Sequence, residues 1–178
     1  QGVKPFVNDA ICADYFLLAV QSPNGLALAA LGKEQVSVTQ QPVMDQTKAS
    51  GRINLNGVTI PTEFLLPMTE AQLAFLTDCG AMATTAEIVG AANATLHLTS
   101  AYAKERIQFG KPIGQYQGVK HRLAEMFVDV ESIRSLCYYA AWTVDDAKAE
   151  MPRAVSLAKG YASDAFAQIG IDGVGLHG

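Results

Sequence analysis

The sequence predicts an α+β protein in which a β module precedes an antiparallel bundle of long helices. Three observations lead to this prediction. Strand-like apolar runs and a hairpin-type turn occupy the first third of the chain, and helical spacing of apolar residues occupies the rest. Pro61 and Pro67 separate the two regions. The joints between the helical segments are short, which favours antiparallel neighbours.

The strand predictions rest on an apolar run and a turn signal. Residues 15–20 form a continuous apolar run of the kind found in buried strands. Asn56 and Gly57 stand between the strand-like segments 52–55 and 58–60. An Asn-Gly pair in this position predicts a two-residue β-hairpin.

Three helical segments follow the β module. The first is predicted over residues 69–107, and it opens on a capping box in which Thr69 is the N-cap and Gln72 the third helical residue. The second is predicted over residues 115–148, where apolar residues recur three and four positions apart. The third begins near Pro152, because proline is favoured in the first turn of a helix.

Composition excludes several classes of protein. Hydrophobic residues make up 49% of the chain and charged residues 17%, as in a packed globular protein. The net charge is −4 and no basic patch is visible, so nucleic acid is not expected as a partner. The longest apolar run, residues 15–20, is much too short to span a bilayer, so no membrane span is expected.

The cysteines and histidines predict no metal site and no disulfide. Cys12, Cys79 and Cys137 lie far apart and are odd in number, which favours reduced thiols and a cytoplasmic location. No signal peptide is visible. His177 has no metal-ligand partner at usable spacing, so no zinc site is predicted.

The densest motif lies at residues 102–117, between the first two helical segments. It places Arg106, Gln108, Phe109 and a glycine at one corner, with a second glutamine, Gln117, where the next helix starts. Arginine supplies a permanent charge in a planar fork that suits phosphate. Glycine and proline turn the chain and let the backbone approach a ligand closely. Such a corner can hold an anion and an aromatic ring system together.

This motif resembles the signature that opens the C-terminal helical domain of flavin-dependent acyl-CoA dehydrogenases. Residues 2–14 resemble a strand of that family's middle β domain, and residues 86–92 and 120–142 resemble its first two long C-terminal helices. Residues 158–178 resemble the third helix and the start of the glycine-rich loop after it. The likeness looks closest to bacterial members, including those that act on bulky or sterol-derived CoA thioesters.

The resemblance implies the rest of the architecture. Residues 1–66 are expected to be part of the middle β domain, a partial β-barrel or sandwich. Residues 67–178 are expected to be a truncated C-terminal helical bundle domain. The N-terminal helical domain and the first part of the β domain of the family are not represented, so the chain is expected to be a fragment or a degenerate subunit.

The resemblance also implies an activity. It is the FAD-dependent α,β-dehydrogenation of an acyl-CoA thioester, in fatty acid or sterol side-chain β-oxidation, with electrons passed to an electron-transferring flavoprotein. Members assemble as homo- or hetero-oligomers, dimers or tetramers, and bind FAD across a subunit boundary.

Six cofactor contacts follow from the resemblance. They are Phe6, Asn8, Arg106, Gln108, Phe109 and Gln117. Phe6 would pack on the flavin ring, and Asn8 would stand where a hydroxyl residue is common near flavin N5. Arg106 would pair with the FAD pyrophosphate of the neighbouring subunit, and Gln117 would hydrogen-bond on the adenosine side.

The catalytic residue is unknown. In most members the glutamate that acts as the catalytic base follows the position of Gly178. In others this base stands early in the first long helix, at the place that Gly80 occupies here. Ala81 replaces an arginine that many members carry, and neither Asp78 nor Glu87 matches a base position. An alternative function is therefore a non-catalytic assembly subunit that contributes FAD contacts to a partner acyl-CoA dehydrogenase subunit.

Overall fold

A computed structural model describes residues 2–178 as two compact units, which divide between Leu73 and Ala74. The first unit extends beyond residue 66, because the strand Leu65–Pro67 pairs with an earlier strand of the β unit. The assignment of residues 1–66 and 67–178 to two domains of a longer protein stays a prediction.

The first unit is built from two antiparallel sheets of three strands each. The strands are β1 (Val3–Asn8), β2 (Tyr15–Ser22), β3 (Gly25–Gly32), β4 (Ser37–Gln40), β5 (Ser50–Asn54) and β6 (Leu65–Pro67). One sheet has the order β1-β5-β4 and the other β2-β3-β6. The apolar run of β2 alternates between faces, so that Phe16 and Leu18 are buried. They pack with Leu31, Ile53 and Leu55 into one core cluster that both sheets supply.

The predicted hairpin at Asn56-Gly57 is wrong. The turn forms, since Gly57 has a φ of 77° and the Val58 N–H bonds to the Leu55 carbonyl at 3.3 Å. Residues 58–60 are not a strand, however, and β5 pairs instead with β1 and β4. The distant strand β1 and the preceding strand β4 therefore occupy the two edges of β5. Ile60 packs against the core cluster of the β unit instead of forming a ladder.

Three long helices follow, and they confirm the predicted α+β class. They are α1 (Glu70–Glu105), α2 (Gln117–Asp146) and α3 (Met151–His177). The capping box is present, because the Thr69 N–H bonds to Gln72 Oε1 at 2.8 Å and the Gln72 N–H bonds to Thr69 Oγ1 at 3.2 Å. No helix within residues 2–178 combines the length and the apolarity needed to cross a bilayer.

The resemblance implied that a glycine-rich loop starts within the last residues of the chain, but α3 continues through Gly173 and Gly175 to His177. Gly173 lies against α1, where a Cβ would come within 3.1 Å of Thr95 Cγ2. The glycine therefore serves close helix packing and leaves the helix intact. Gly178 ends the chain with a φ of 109°, the left-handed conformation that commonly follows the last turn of a helix.

The core of the second unit lies between the three helices. It consists of Ala92, Leu96, Met126, Val130, Ile133, Ala162, Ala165 and Ile169, all buried. The alanines of α3 lie opposite the larger side chains of α2, which lets these two helices pack closely. This core packs the three helices against one another.

Candidate functional site

The corner between α1 and α2 is a tight β-hairpin. Strands β7 (Ile107–Gln108) and β8 (Lys111–Pro112) pair so that Gln108 faces Lys111, which leaves Phe109 and Gly110 as a two-residue loop. Their φ angles are 52° and 79°, as in a type I′ turn. This turn type is favoured in two-residue hairpins because its twist matches that of the paired strands.

Phe109 is the unusual residue in this turn. The first loop position of a type I′ turn favours Asn, Asp or Gly, because a positive φ brings the Cβ of other residues against the backbone. The ring of Phe109 is 86% exposed, so its packing within this chain does not offset the strain. Strain of this kind clusters at functional sites, where the side chain is needed for another contact.

The hairpin is fixed to the helical bundle at several points. The Ile113 N–H donates to the Arg106 carbonyl at 2.8 Å, and the Tyr116 hydroxyl donates to the Gln108 carbonyl at 3.0 Å. Gly114 allows the segment to touch α1, since a Cβ there would lie 2.9 Å from the Ala103 carbonyl oxygen. The loop that carries Phe109 is therefore held on a rigid base.

Arg106 offers an unpaired positive charge at the same corner. Its side chain is exposed and forms no ion pair or hydrogen bond with the residues that the structure describes. Its backbone N–H donates to the Tyr102 carbonyl at 2.8 Å, which fixes the start of the side chain at the end of α1. Tyr102 is itself stacked on His177 of α3, with ring centroids 4.4 Å apart. The guanidinium is thus anchored at its base and free to bind an anion.

A groove of about 350 Å³ opens beside the hairpin, between the start of α2 and the end of α3. Its lining consists of Gln108, Phe109, Ile113, Tyr116, Gly118, Val119, Gly175 and Leu176. A Cβ at Gly118 or Gly175 would meet no atom within 4 Å, so both glycines keep the groove open. Gln117 is exposed at the first residue of α2, and neither it nor Arg106 lines the groove.

The two other predicted contacts, Phe6 and Asn8, lie in the β unit on an irregular strand. The pairing of β1 with β5 shifts register between Lys4 and Val7, which marks a β-bulge. Phe6 has a φ of 54° and is 65% exposed. Asp9, directly after Asn8, has a φ of 57°, and its N–H donates to the Ala49 carbonyl at 2.7 Å.

A buried polar atom without a partner lies opposite Asn8. Ser50 faces Asn8 across the β1–β5 pair, and it is 3% exposed. Its hydroxyl is the buried side-chain polar atom that lacks a hydrogen bond within residues 2–178. Buried polar groups are nearly always paired, so we expect a water molecule or a ligand group to complete the hydrogen bond of this hydroxyl.

Backbone strain coincides with the predicted contacts in both units. The non-glycine residues with positive φ within the described chain are Phe6, Asp9 and Phe109. Two of them are predicted contacts and the third adjoins one. Nothing in the local sequence signals a left-handed phenylalanine, so sequence reasoning missed this feature and also missed Ser50.

The candidate acid–base positions carry no arranged catalytic group within the described residues. Gly80 is exposed on α1, and Ala81 packs against a second buried cluster between the helices. Cys137 is buried on α2, and this burial raises the pKa of its thiol. The thiol therefore stays protonated, as expected for a structural cysteine and not for a nucleophile.

The second unit matches a known family of domains. The model of the acyl-CoA dehydrogenase C-terminal domain matches residues 73–178. Among curated proteins, the acyl-CoA dehydrogenase IpdE2 of Mycolicibacterium smegmatis is 39% identical over 103 residues, which are 58% of this chain and 31% of the relative.

Solved structures resemble both units. The ChsE4–ChsE5 complex from Mycobacterium tuberculosis has a TM-score of 0.91 at 28% identity, and the match covers 99% of this chain and 48% of that chain. An FAD-dependent dehydrogenase has a TM-score of 0.88 at 27% identity, with 99% and 51% covered. The chain thus spans about half the length of the solved structures that it matches.

Proposed function

This chain belongs to the acyl-CoA dehydrogenase family, and we propose that it forms part of an enzyme that dehydrogenates an acyl-CoA thioester between its α and β carbons. The observation that carries the proposal is that exposed phenylalanines with positive φ and an unpaired arginine lie at positions that the family resemblance assigns to FAD contacts. The relatives reported above are acyl-CoA and FAD-dependent dehydrogenases, which supports the same function.

The corner of the second unit fits the phosphate-bearing part of FAD. Arg106 would bind the pyrophosphate of an FAD held mainly by a neighbouring subunit, because its guanidinium is exposed and unpaired. Phe109 and Gln108 line the groove next to it and would contact the same cofactor. Gln117 would hydrogen-bond the adenosine side from the first turn of α2.

The bulge of the first unit fits the flavin ring. Phe6 presents an exposed aromatic face, and Asn8 offers an amide that can donate to or accept from the ring. The buried hydroxyl of Ser50, opposite Asn8, would offer one further hydrogen bond to the cofactor or to a water molecule beside it. Bound FAD would supply the hydride acceptor for the reaction, while these side chains orient it and exclude water.

The proposed partners follow from this function. An acyl-CoA would be the substrate, and an electron-transferring flavoprotein would accept the electrons, in cytoplasmic fatty acid or sterol side-chain oxidation. A homo- or hetero-oligomer is proposed because the Arg106 corner would serve a neighbouring subunit. ChsE4 and ChsE5 of Mycobacterium tuberculosis form a complex with each other, which supports a hetero-oligomer as one form.

A non-catalytic assembly subunit is the second candidate. Gly80 favours it, because this early position in α1 carries no carboxylate that could remove an α-proton. Such a subunit would lend Arg106 and its neighbours to the FAD of a partner. The two candidates differ in whether the protein purified without a partner holds flavin that responds to acyl-CoA.

FAD binding by the full-length protein tests the proposed role of the corner. Arg106→Ala should weaken FAD binding by about 10- to 100-fold, since a charge-assisted hydrogen bond contributes roughly 1.5–3 kcal/mol. Arg153→Ala is the matched control, because Arg153 is exposed on α3. Equal FAD affinity in the two variants would remove Arg106 from the proposed site.

A further inference from the structure

The conformation of Phe6 needs a specific support. Phe6 lies within the register shift between Lys4 and Val7, so it has no partner residue in β5. The φ of 54° is unfavourable for a bulky residue. The ring is 65% exposed, so packing does little to hold the residue in place.

Gln41 supplies that support from the end of a different strand. Its side-chain Oε1 accepts a hydrogen bond from the Phe6 N–H at 2.8 Å, across 35 positions of sequence. The backbone of Gln41 is fixed in turn, because its own N–H donates to the Ser50 carbonyl at 2.9 Å. The side chain therefore reaches the bulge from an anchored position directly after β4.

We propose that Gln41 is a positioning residue, which holds the β1 bulge through the Phe6 N–H and so presents the Phe6 ring to the bound flavin. This inference rests on the proposed function, in which Phe6 contacts the cofactor. Gln41 itself acts only through the backbone of Phe6. The far end of the bulge is tied separately by the bond from the Asp9 N–H to the Ala49 carbonyl, so loss of Gln41 frees only the Phe6 end.

The test compares three variants with the wild-type full-length protein. Gln41→Leu removes the acceptor, Gln41→Glu keeps an acceptor oxygen at the same reach, and Gln40→Leu makes the same change at the exposed neighbouring residue. Amide hydrogen exchange of the segment around Phe6 measures the hydrogen bond from the Phe6 N–H to Gln41, here called the Gln41 clamp, without reference to flavin. A single hydrogen bond of this kind predicts exchange about three- to tenfold faster in Gln41→Leu, and wild-type rates in the other two.

Visible circular dichroism of the bound flavin, together with kcat and KM, measures whether the Gln41 clamp affects the environment of the flavin and the rate of turnover. Gln41→Leu should alter the flavin signal and lower kcat by about three- to tenfold, because the ring is presented correctly in a smaller fraction of molecules. Gln41→Glu should restore both. Gln41→Asn, one methylene shorter, serves as the second variant if the leucine variant does not fold, and should behave as Gln41→Leu does.

Each outcome decides the inference. An unchanged amide hydrogen exchange rate at Phe6 in Gln41→Leu would show that Gln41 does not hold the bulge, and so would overturn the inference. Faster exchange with an unchanged flavin signal overturns the positioning role and leaves the proposed function standing. Wild-type protein whose flavin responds to no acyl-CoA overturns the proposed function instead, and the exchange measurement still reports on the clamp itself.

Discussion

Replacement of Phe109 by asparagine should stabilise the apoprotein and weaken FAD binding, two effects of opposite sign. Asparagine tolerates the positive φ of a type I′ turn and precedes Gly110, the most favoured pair for this loop. A left-handed conformation costs other residues roughly 1–2 kcal/mol, of which asparagine recovers a large part. Since 86% of the ring is exposed, only about 0.4 kcal/mol of burial is lost. The net gain is about 0.5–1 kcal/mol.

The same change removes an aromatic ring that the cofactor is proposed to cover. Burial of a phenylalanine contributes roughly 1.5–3 kcal/mol, which predicts FAD binding weaker by about 10- to 100-fold. Urea unfolding of the full-length apoprotein measures the first effect, and FAD titration by calorimetry measures the second. Phe75→Asn, on the exposed side of α1, should lower stability and leave FAD affinity unchanged.

Two results would refute this reasoning separately. A lower free energy of unfolding in Phe109→Asn would show that the left-handed phenylalanine is not strained in the apoprotein. Unchanged FAD affinity would show that the ring does not contact the cofactor. An ordinary surface phenylalanine would give neither the gain in stability nor the loss of affinity.

Two further predictions concern stability. Gly114→Ala should destabilise the protein by about 1–3 kcal/mol in urea unfolding, because its Cβ would lie 2.9 Å from the Ala103 carbonyl oxygen. Gly160→Ala, in open space on α3, should instead stabilise it by about 0.5–1 kcal/mol. Equal effects of the two substitutions would contradict the close approach of Gly114 to α1. The hydrogen bond to Glu150 raises the pKa of the Tyr139 hydroxyl. The contribution of this bond to the free energy of unfolding is therefore present below about pH 10 and is lost as the pH rises further. In alkaline unfolding, Tyr139→Phe should therefore lose less stability than the wild type as the pH rises above about 10, and parallel curves would contradict this.

Local chemistry made the helices predictable from sequence. The capping box at Thr69 and Gln72 and the proline near the start of α3 act within a few residues, so the sequence shows them directly. The 102–117 motif likewise predicted a tight corner, and the structure has a hairpin there. The identity of the six cofactor contacts stays a prediction.

Long-range pairing made other features unpredictable. The Asn56-Gly57 turn favours a hairpin, but β1 and β4 occupy the two edges of β5. The glycines of α3 favour a loop, yet Gly173 serves contact with α1 from within the helix. The strain at Phe6 depends on the register of β1 against β5 and on Gln41, which is 35 positions away. No local pattern encodes such a partner.

The visible absorption spectrum of the full-length protein tests the central claim most directly. The protein is purified and then mixed, without oxygen, with a panel of acyl-CoA thioesters. The proposed function predicts flavin bands that bleach with at least one thioester, because electrons from the Cα–Cβ bond reduce the flavin. Flavin bands that no thioester bleaches, or flavin that is absent until a partner subunit is added, would contradict it and favour the assembly subunit.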